Sequence, residues 1–328
     1  MKGRLVVSVS PHLRKKENIP WIMWMVFAAL IPSGIVGIYT FGPASLWLIL
    51  ISILSAVLSE AFILALRRKK VTIFDGSAAL TGLLLAYNLP PEAPLWIPAA
   101  GSFFAIVFAK QVFGGLGRNI FNPALAGRAF LIISWPTYMT DFAKPFTYPD
   151  AVTAATPLGL FKNAGMDIHA MGLNYMDLLL GRRGGCIGEV AVLALAVGAL
   201  LLLVLRIISL HIPLSFIFAA GLLSWLFPAQ GFAKGDPIFA VLSGGVILGA
   251  FFMATDYSTS PLTRKGQLIF GAGCGLLTFI IRRWGGYPEG VSFSILIMNA
   301  FVPLIDRYVR PPVYGRRDGS GAKAKTVP

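Results

Sequence analysis

The sequence predicts an all-α polytopic membrane protein with about ten transmembrane helices in two five-helix repeats. Composition is the first reason, because 56% of the 328 residues are hydrophobic and 13% are charged, with a mean hydropathy of +0.74. Soluble domains carry about 25% charged residues, so this balance indicates a membrane protein. The second reason is that the apolar residues form runs close to the roughly 20 residues that a bilayer requires. The third is a spacing of glycine and aromatic residues that recurs in the two halves.

The first repeat is predicted over residues 20–135, after a basic, polar amino-terminal segment, 1–19, on the cytoplasmic side. We expect no cleavable signal peptide, because the first apolar run is long enough to span the membrane. The third and fifth runs of this repeat are short for a bilayer. The predicted spans are Pro20–Phe41, Ala44–Leu66, Phe74–Leu89, Leu95–Phe113 and Ile120–Trp135.

A polar stretch over 136–185 separates the two repeats and is expected to lie outside the cytoplasm. It is too long for an ordinary tight connection, and loops of that length tend to be functional or disordered. The second repeat is predicted over 186–306, followed by a basic cytoplasmic tail, 307–328. Its predicted spans are Ile187–Leu205, Ile212–Phe227, Pro237–Ala254, Gly266–Ile281 and Val291–Ile305.

The repeat is visible in the spacing of short motifs. Phe113-Gly114-Gly115 stands the same distance before Ala129-Phe130 as Trp284-Gly285-Gly286 stands before Ala300-Phe301. Each half has an odd number of predicted spans, so equivalent helices cross the membrane in opposite directions. The sequence therefore predicts an inverted-topology repeat.

The positions of the basic residues predict the orientation. Lysines and arginines cluster before the first span, after the second, after the fourth at Lys110 and Arg118, and in the tail. By the positive-inside rule these regions and both termini are cytoplasmic. Arg182-Arg183 and Arg282-Arg283 oppose the trend. The net charge of +14 is thus assigned to membrane topology, and no nucleic-acid partner is expected.

One stretch of the polar connection is chemically unusual. Asp150, Thr153, Ala155 and Thr156 lie among small, hydroxylic residues, and a proline follows directly. No histidine or cysteine occurs in the stretch to activate a hydroxyl as in a catalytic triad. A threonine before proline is ordinarily a turn residue or a helix cap.

The same residues resemble the D-x-x-[ST]-[GA]-A-T signature at which a flavin transferase attaches FMN to the final threonine, with Ala154 where glycine is common. Further motifs in order along nearly the whole chain resemble the RnfD protein of the Rnf electron-transport complexes, a relative of NqrB in the sodium-pumping NADH:quinone oxidoreductase. They are Ser10-Pro11-His12, the segment 117–124, Gly185-Cys186-Ile187-Gly188-Glu189, the segment 253–262, Lys265-Gly266-Gln267 and the segment 285–290. The shorter amino-terminal region favours the Rnf branch of this RnfD/NqrB family.

This resemblance implies a urea-transporter-like fold in the bacterial cytoplasmic membrane, with covalent FMN on Thr156 facing outside. It implies a subunit that is not catalytic alone, within a complex that relays electrons between ferredoxin and NAD and moves Na⁺ or H⁺. The expected partners are Rnf subunits A, B, C, E and G, a maturing flavin transferase and lipid. A non-covalent riboflavin is a further expectation, and no metal site is expected.

For the ion pathway, the candidates are polar residues at the ends of short or glycine-interrupted spans: Asp75, Glu189, Asp256, Asn122 and Asn299. Acidic groups at membrane depth are functional candidates by default. The acids could equally cap helix amino termini, and the asparagines could link helices. An alternative function remains open, namely an inverted-repeat channel or secondary transporter for a small solute or ion without a redox role.

Overall fold

The computed structural model describes residues 18–69, 72–147, 153–164, 171–227, 233 and 235–310. In the first half, the helix starts follow local signals, since Asn18 and Asn122 cap two helices and proline occupies an early position in three of them. The elements are α1 Ile19–Phe41, α2 Pro43–Leu66, a 3₁₀ turn Ile73–Asp75, α3 Ser77–Tyr87, α4 Trp96–Phe104 with its π-helical continuation Ala105–Gln111, and α5 Pro123–Ser134.

The connection between the halves contains short elements instead of an unstructured loop. They are α6 Pro136–Thr140, β1 Phe142–Ala143, β2 Thr153–Ala154, α7 Pro157–Ala164 and α8 Tyr175–Leu180. The two strands pair antiparallel, with Phe142 opposite Ala154 and Ala143 opposite Thr153. This pairing holds the stretch before Thr156 against the end of the first half.

The second half contains a broken helix within one of the spans predicted to be short or glycine-interrupted. Its elements are α9 Val192–Val204, α10 His211–Leu226, α11 Pro237–Leu242, α12 Val246–Leu248 with its π-helical continuation Gly249–Met253, α13 Arg264–Trp284 and α14 Val291–Tyr308. The break between α11 and α12 falls at Ser243 and Gly244, where Gly244 has φ +65°. The predicted span Pro237–Ala254 is therefore interrupted.

The predicted span Ile187–Leu205 is wrong at its start, because α9 begins only at Val192. The preceding residues form a turn over 187–189 and pair with the end of α3. The N–H groups of Ile187 and Gly188 donate to the carbonyls of Leu89 and Tyr87 at 3.1 Å each. Their backbone groups are satisfied by this pairing instead of by a helix.

Close packing of α1 against α9 positions this turn inside the molecule. A Cβ at Gly198 would lie 2.0 Å from the carbonyl oxygen of Ala29, and one at Gly188 would lie 2.1 Å from the Tyr87 ring. Ser33 on α1 donates to the carbonyl of Gly188 at 2.7 Å. Glycine is required at both positions, because any larger side chain would force the elements apart.

Three of the described helices, α1, α2 and α14, are long and apolar enough to cross a membrane on their own, and α3, α5, α9 and α10 are shorter apolar helices. The outward-facing residues of α1 and α2 are large and apolar, with Ile35, Leu54 and Phe62 exposed by 60% or more. Serines face inward on the same helices. This pattern suits lipid outside the helices, and the chain is a multi-pass membrane protein.

Candidate functional site

Thr156 lies at the amino terminus of α7 and caps it. The N–H of Gly159 donates to Thr156 Oγ1 at 3.1 Å, and the N–H of Leu160 donates to its carbonyl at 2.9 Å. The residue is buried, at 6% exposure. The helix-cap prediction for this threonine is therefore confirmed, and the same hydroxyl occupies the last position of the flavin-attachment motif.

The neighbours of the Thr156 hydroxyl are small, as a site for covalent modification requires. Ala155 is exposed, and a Cβ added to Gly159 would lie 3.2 Å from Thr156 Oγ1. The backbone of Thr153 lies in β2. Asp150 lies outside the described residues.

A cavity of about 170 Å³ opens beside α7, and we call it the α7 cavity. One face of α7 contributes Leu158, Phe161 and Lys162, which share that face by helical spacing. Aromatic rings meet around it, with Phe161 and Phe239 at 5.4 Å between ring centroids. The remaining lining residues include Ser224, Phe227, Asp236, Phe279, Arg282 and Arg283. The cavity therefore combines flat apolar surfaces with three basic side chains.

Lys162 ties α7 to the loop after α13. Its ammonium donates to the carbonyls of Gly285 at 2.5 Å and Tyr287 at 2.8 Å. Partial burial lowers the pKa of the Lys162 ammonium. This lysine links α7 to the loop after α13 and places a positive charge at the wall of the α7 cavity.

Behind α7 lies a largely buried group that we call the arginine–glutamate cluster, formed by Arg128, Arg183, Cys186, Glu189, Arg282 and Glu289. Arg128 on α5 makes an ion pair with Glu289 and donates to Cys186 Sγ at 3.7 Å. It also donates to Asn88 Oδ1 at 2.6 Å. The cluster thus joins α5, the turn before α9 and the loop before α14.

The cluster explains two arginines that oppose the positive-inside rule. Arg183 is 3% exposed and donates to the backbone carbonyl of Glu189 at 3.3 Å. Arg282 donates to the backbone carbonyls of Ala240 at 2.5 Å and Ser243 at 2.9 Å. Arg282 satisfies backbone groups at the broken helix, and Arg183 satisfies one in the turn before α9. They are structural partners, so their charge does not report on topology.

A second cavity, of about 80 Å³, brings together two of the predicted pathway residues, Asn122 and Asp256. We call it the Asp256 cavity. The carboxylate of Asp256 accepts from the Ser258 hydroxyl at 2.9 Å. Other polar groups on its wall are Ser77, Thr81, Lys110, Asn119 and Thr255.

The other predicted pathway residues are placed differently. Asn299 on α14 accepts from the N–H of Asn122 at 3.2 Å, so it contacts a residue of the wall of the Asp256 cavity. Asp75 precedes α3 and accepts from the N–H of Ser77 at 2.8 Å and from its hydroxyl at 2.6 Å. Glu189 lies in the arginine–glutamate cluster. The structure thus unites Asn122, Asp256 and Asn299 and separates Glu189 from them.

A buried ion pair between Glu60 and Lys110 was not predicted. The Lys110 ammonium lies 2.8 Å from a Glu60 carboxylate oxygen, and both side chains are 2% exposed. Gln111 donates to the same carboxylate at 2.7 Å, and Lys110 donates to Ser77 Oγ at 2.6 Å. The interpretation of Lys110 as a topology signal is therefore wrong, because its charge is neutralised inside the protein. A lone acid within a predicted span, as at Glu60, is the sequence signal that indicates such a pair.

Known proteins resemble this chain over almost its entire length. It is 47% identical over 323 residues to the D subunit of the proton-translocating ferredoxin:NAD(+) oxidoreductase complex of Clostridium ljungdahlii, covering 96% of this chain and 98% of the relative. Identity is 50% over 314 residues to the D subunit of the Na(+)-translocating complex of Acetobacterium woodii, covering 95% of each chain. The D subunit of the ion-translocating oxidoreductase complex of Escherichia coli is 39% identical over 350 residues, covering 95% of this chain and 99% of the relative.

A relative named for protons and one named for sodium thus match this chain at similar identity. The family described as NQR2, RnfD, RnfE matches residues 6–315. This match includes the Thr156 motif, both cavities and the arginine–glutamate cluster. As its ordered motifs predict, the chain belongs to the NQR2, RnfD, RnfE family.

Proposed function

We propose that this chain is the membrane subunit of an Rnf-type complex that carries covalent FMN on Thr156. In that complex it relays electrons between ferredoxin and NAD, coupled to movement of Na⁺ or H⁺. One observation carries the proposal: Thr156, the last residue of the motif, caps the helix that forms one wall of an aromatic and basic cavity. The names of the similar subunits support the ferredoxin and NAD part.

The residues present suit an FMN group. Attachment through the phosphate needs a threonine hydroxyl with small neighbours, and Thr156 has Ala155 and Gly159 beside it. The positive end of α7 and the nearby lysine and arginines favour a phosphate. Phe161 and Phe239 offer flat surfaces on which an aromatic ring can pack. Asp150 and Thr153 complete the motif, and we propose that the transferase reads them.

The flavin supplies one- and two-electron chemistry when bound, and the protein supplies position and electrostatics. Thr156 would hold the phosphate, and the α7 helix would keep the point of attachment fixed relative to the membrane. Lys162, Arg282 and Arg283 would favour negative charge in the α7 cavity. Phe227 and Phe279 would limit the access of water to it.

For the membrane architecture, we propose ten crossings in two inverted five-helix repeats. In the first half, α2 packs against α3 and α4, and in the second half α10 packs against α11 and α13. The proposed counterparts α1 and α9 pack together, as do α5 and α14. Asp75 and Asp236 each accept a backbone N–H at the start of the third helix of their half. These equivalences support the repeat.

For the orientation, we propose cytoplasmic termini and an outward-facing Thr156 loop in the bacterial cytoplasmic membrane. Arg183 is buried and Arg282 donates to backbone carbonyls, so neither charge is counted when the positive-inside rule is applied. This supports the proposed orientation. The other Rnf subunits, A, B, C, E and G, and a flavin transferase are the proposed partners.

For ion handling, we propose that Asp256 and Asn122 face the moving ion and that Asn299 orients Asn122. Asp75 contributes to the ion pathway by stabilising the start of α3, where it accepts from the N–H of Ser77. A non-covalent riboflavin stays a prediction.

The test is in-gel flavin fluorescence and intact mass of the denatured subunit, taken from the complex produced with its flavin transferase. We expect a fluorescent band whose mass includes one FMN moiety. A dark band of unmodified mass, with a control protein labelled by the same transferase, would overturn the redox assignment. Solute transport would then be the leading function.

Substituting Gly159→Ala should lower the labelled fraction several-fold, because the new Cβ would lie 3.2 Å from Thr156 Oγ1. The thermal unfolding midpoint of the variant, measured beside its labelling, distinguishes blocked access from unfolding. The matched control is Gly286→Ala, whose Cβ would meet nothing within 4 Å. Equal fluorescence per polypeptide in both variants would show that transferase access does not depend on Gly159.

A further inference from the structure

Two glutamates meet inside the arginine–glutamate cluster. A carboxylate oxygen of Glu189, one of Glu289 and the sulfur of Cys186 all lie within 4.8 Å of one another. Glu189 is 2% exposed, so this approach takes place inside the protein. Two ionised carboxylates this close in a buried place repel each other strongly. The geometry therefore favours a proton on one of them.

The partners of the two carboxyl groups identify which glutamate holds the proton. Glu289 is ion-paired with the guanidinium of Arg128. Glu189 Oε1 accepts only from the N–H of Cys186 at 3.3 Å, and Glu189 Oε2 has no hydrogen-bond partner among the described residues. Arg183 donates to the backbone carbonyl of Glu189 instead of to its carboxylate. Glu189, at 2% exposure, is thus the group that gains most from protonation.

The surrounding charges set how firmly this proton is held. Arg128 faces the pair from α5, Arg282 from α13 and Arg183 from the segment before α9, and Cys186 is the other titratable neighbour. Three arginines and two ionised glutamates sum to +1, and one proton raises the sum to +2. The guanidinium groups therefore weaken proton binding, and an added negative charge nearby would strengthen it.

The pair lies next to the helix that Thr156 caps. A Cβ added to Gly244 would meet Leu158 Cδ2 at 3.4 Å, Arg282 at 3.0 Å and Glu289 Cγ at 3.9 Å. Leu158 on α7 and Glu289 therefore both border Gly244. A Cβ on Gly184 would likewise lie 3.4 Å from the Ala143 carbonyl oxygen and 4.0 Å from that of Ala155. A charge bound beside Thr156 would act on the pair through protein, where electrostatic interactions are weakly screened.

We propose that Glu189 and Glu289 form a proton-binding pair that holds one proton, on Glu189, and that binds it more tightly when negative charge arrives beside Thr156. The second part rests on the proposed function. One electron, delivered by the upstream carriers of the complex, adds one negative charge at the flavin. In the fraction of complexes whose pair is deprotonated, the pair then changes from charge −2 to −1 by taking one proton from the bulk water, so the charge of the electron is balanced. On reoxidation the electron leaves and that proton returns to the water.

The test is infrared difference spectroscopy of the intact complex in lipid, titrated with pH. We expect a carbonyl stretch of a protonated carboxyl group that fades as the pH rises. The isosteric variant Glu189→Gln should lack this band at every pH. The control Asp177→Asn, which alters the carboxylate of the capping box of α8, should retain it. An identical band in Glu189→Gln and in the natural complex would overturn the proton-binding pair.

A second measurement tests the link between the pair and the flavin. Chemical reduction of the complex should move the loss of the band to higher pH, and reoxidation should return it. An unmoved titration, in a preparation whose covalent flavin is shown by in-gel fluorescence, would overturn the link. If the subunit carries no covalent flavin, the proposed function fails, but the band and its loss in Glu189→Gln are still expected. Labelling glutamate isotopically in the natural complex assigns the band even if the variant does not assemble.

Discussion

Thr156→Ala is expected to remove all covalent flavin from the polypeptide and leave the chain in the membrane. The alanine side chain has no hydroxyl to accept the phosphate, and position 156 lies in the connection between the halves, outside the apolar helices. Loss of the helix cap should cost about 1 kcal/mol, which is small beside the stability of the packed helices. In-gel fluorescence and intact mass measure the loss. Thr156→Ser, which keeps a hydroxyl, should retain part of the labelling.

Two further variants separate attachment from helix capping. Asparagine caps a helix at least as well as threonine but has no hydroxyl, so Thr156→Asn should be unlabelled with an unchanged melting temperature. Thr147→Ala removes a hydroxyl from the same connection, where it donates to the Lys144 carbonyl at 2.9 Å, and should leave labelling intact. Flavin that stays bound to the polypeptide in Thr156→Ala or Thr156→Asn would show that the attachment site lies elsewhere.

Lys110→Met should destabilise the subunit strongly, by about 3–5 kcal/mol, because it leaves the Glu60 carboxylate charged and buried without its ion partner. Substituting both residues, as Glu60→Leu with Lys110→Met, should recover most of this loss, since a buried pair replaced by apolar residues is often neutral. The measurement is the thermal unfolding midpoint of the detergent-purified complex, compared across the single and double variants.

The control for this pair is Lys144→Met, which changes the same residue type at an exposed position. Its effect should stay within about 0.5 kcal/mol. If Lys110→Met and Lys144→Met lowered the midpoint equally, the buried pair would contribute nothing specific to the fold. If the double variant were less stable than both single variants, Ser77 and Gln111 would be the groups that depend on the charges.

Helix positions could be predicted from the sequence where the signals are local. The predicted spans Pro20–Phe41 and Ala44–Leu66 differ from α1 and α2 by one residue at their starts and agree at their ends. Uninterrupted apolar runs, with proline at the start and Asn18 as a cap, leave few alternatives to a helix. The start of α9 at Val192 was missed, because hydrophobicity alone does not distinguish a helix from a non-helical turn buried against α3.

The residues of the candidate site could likewise be predicted only where the signal is local. Thr156 was identified by the spacing of a short motif, which is a property of adjacent residues. The ion pair of Arg128 with Glu289 joins residues 161 positions apart, and that of Lys110 with Glu60 joins residues 50 positions apart. The residues adjacent in sequence to Arg128 or Lys110 do not indicate which acid is the partner. Lys110 and Arg282 consequently resembled topology signals in the sequence.

The sequence by itself determined the membrane class of this protein, the places of its long apolar helices, its family and the threonine on which its proposed cofactor depends. These follow from composition, run length and motif spacing, which are local quantities. Only the tertiary structure decided which buried charges meet, that Thr156 caps a helix beside a basic cavity, and that Glu189 approaches Glu289. The reason is physical: burying a charge is costly, so each must find a partner, and that partner is fixed by how distant segments pack.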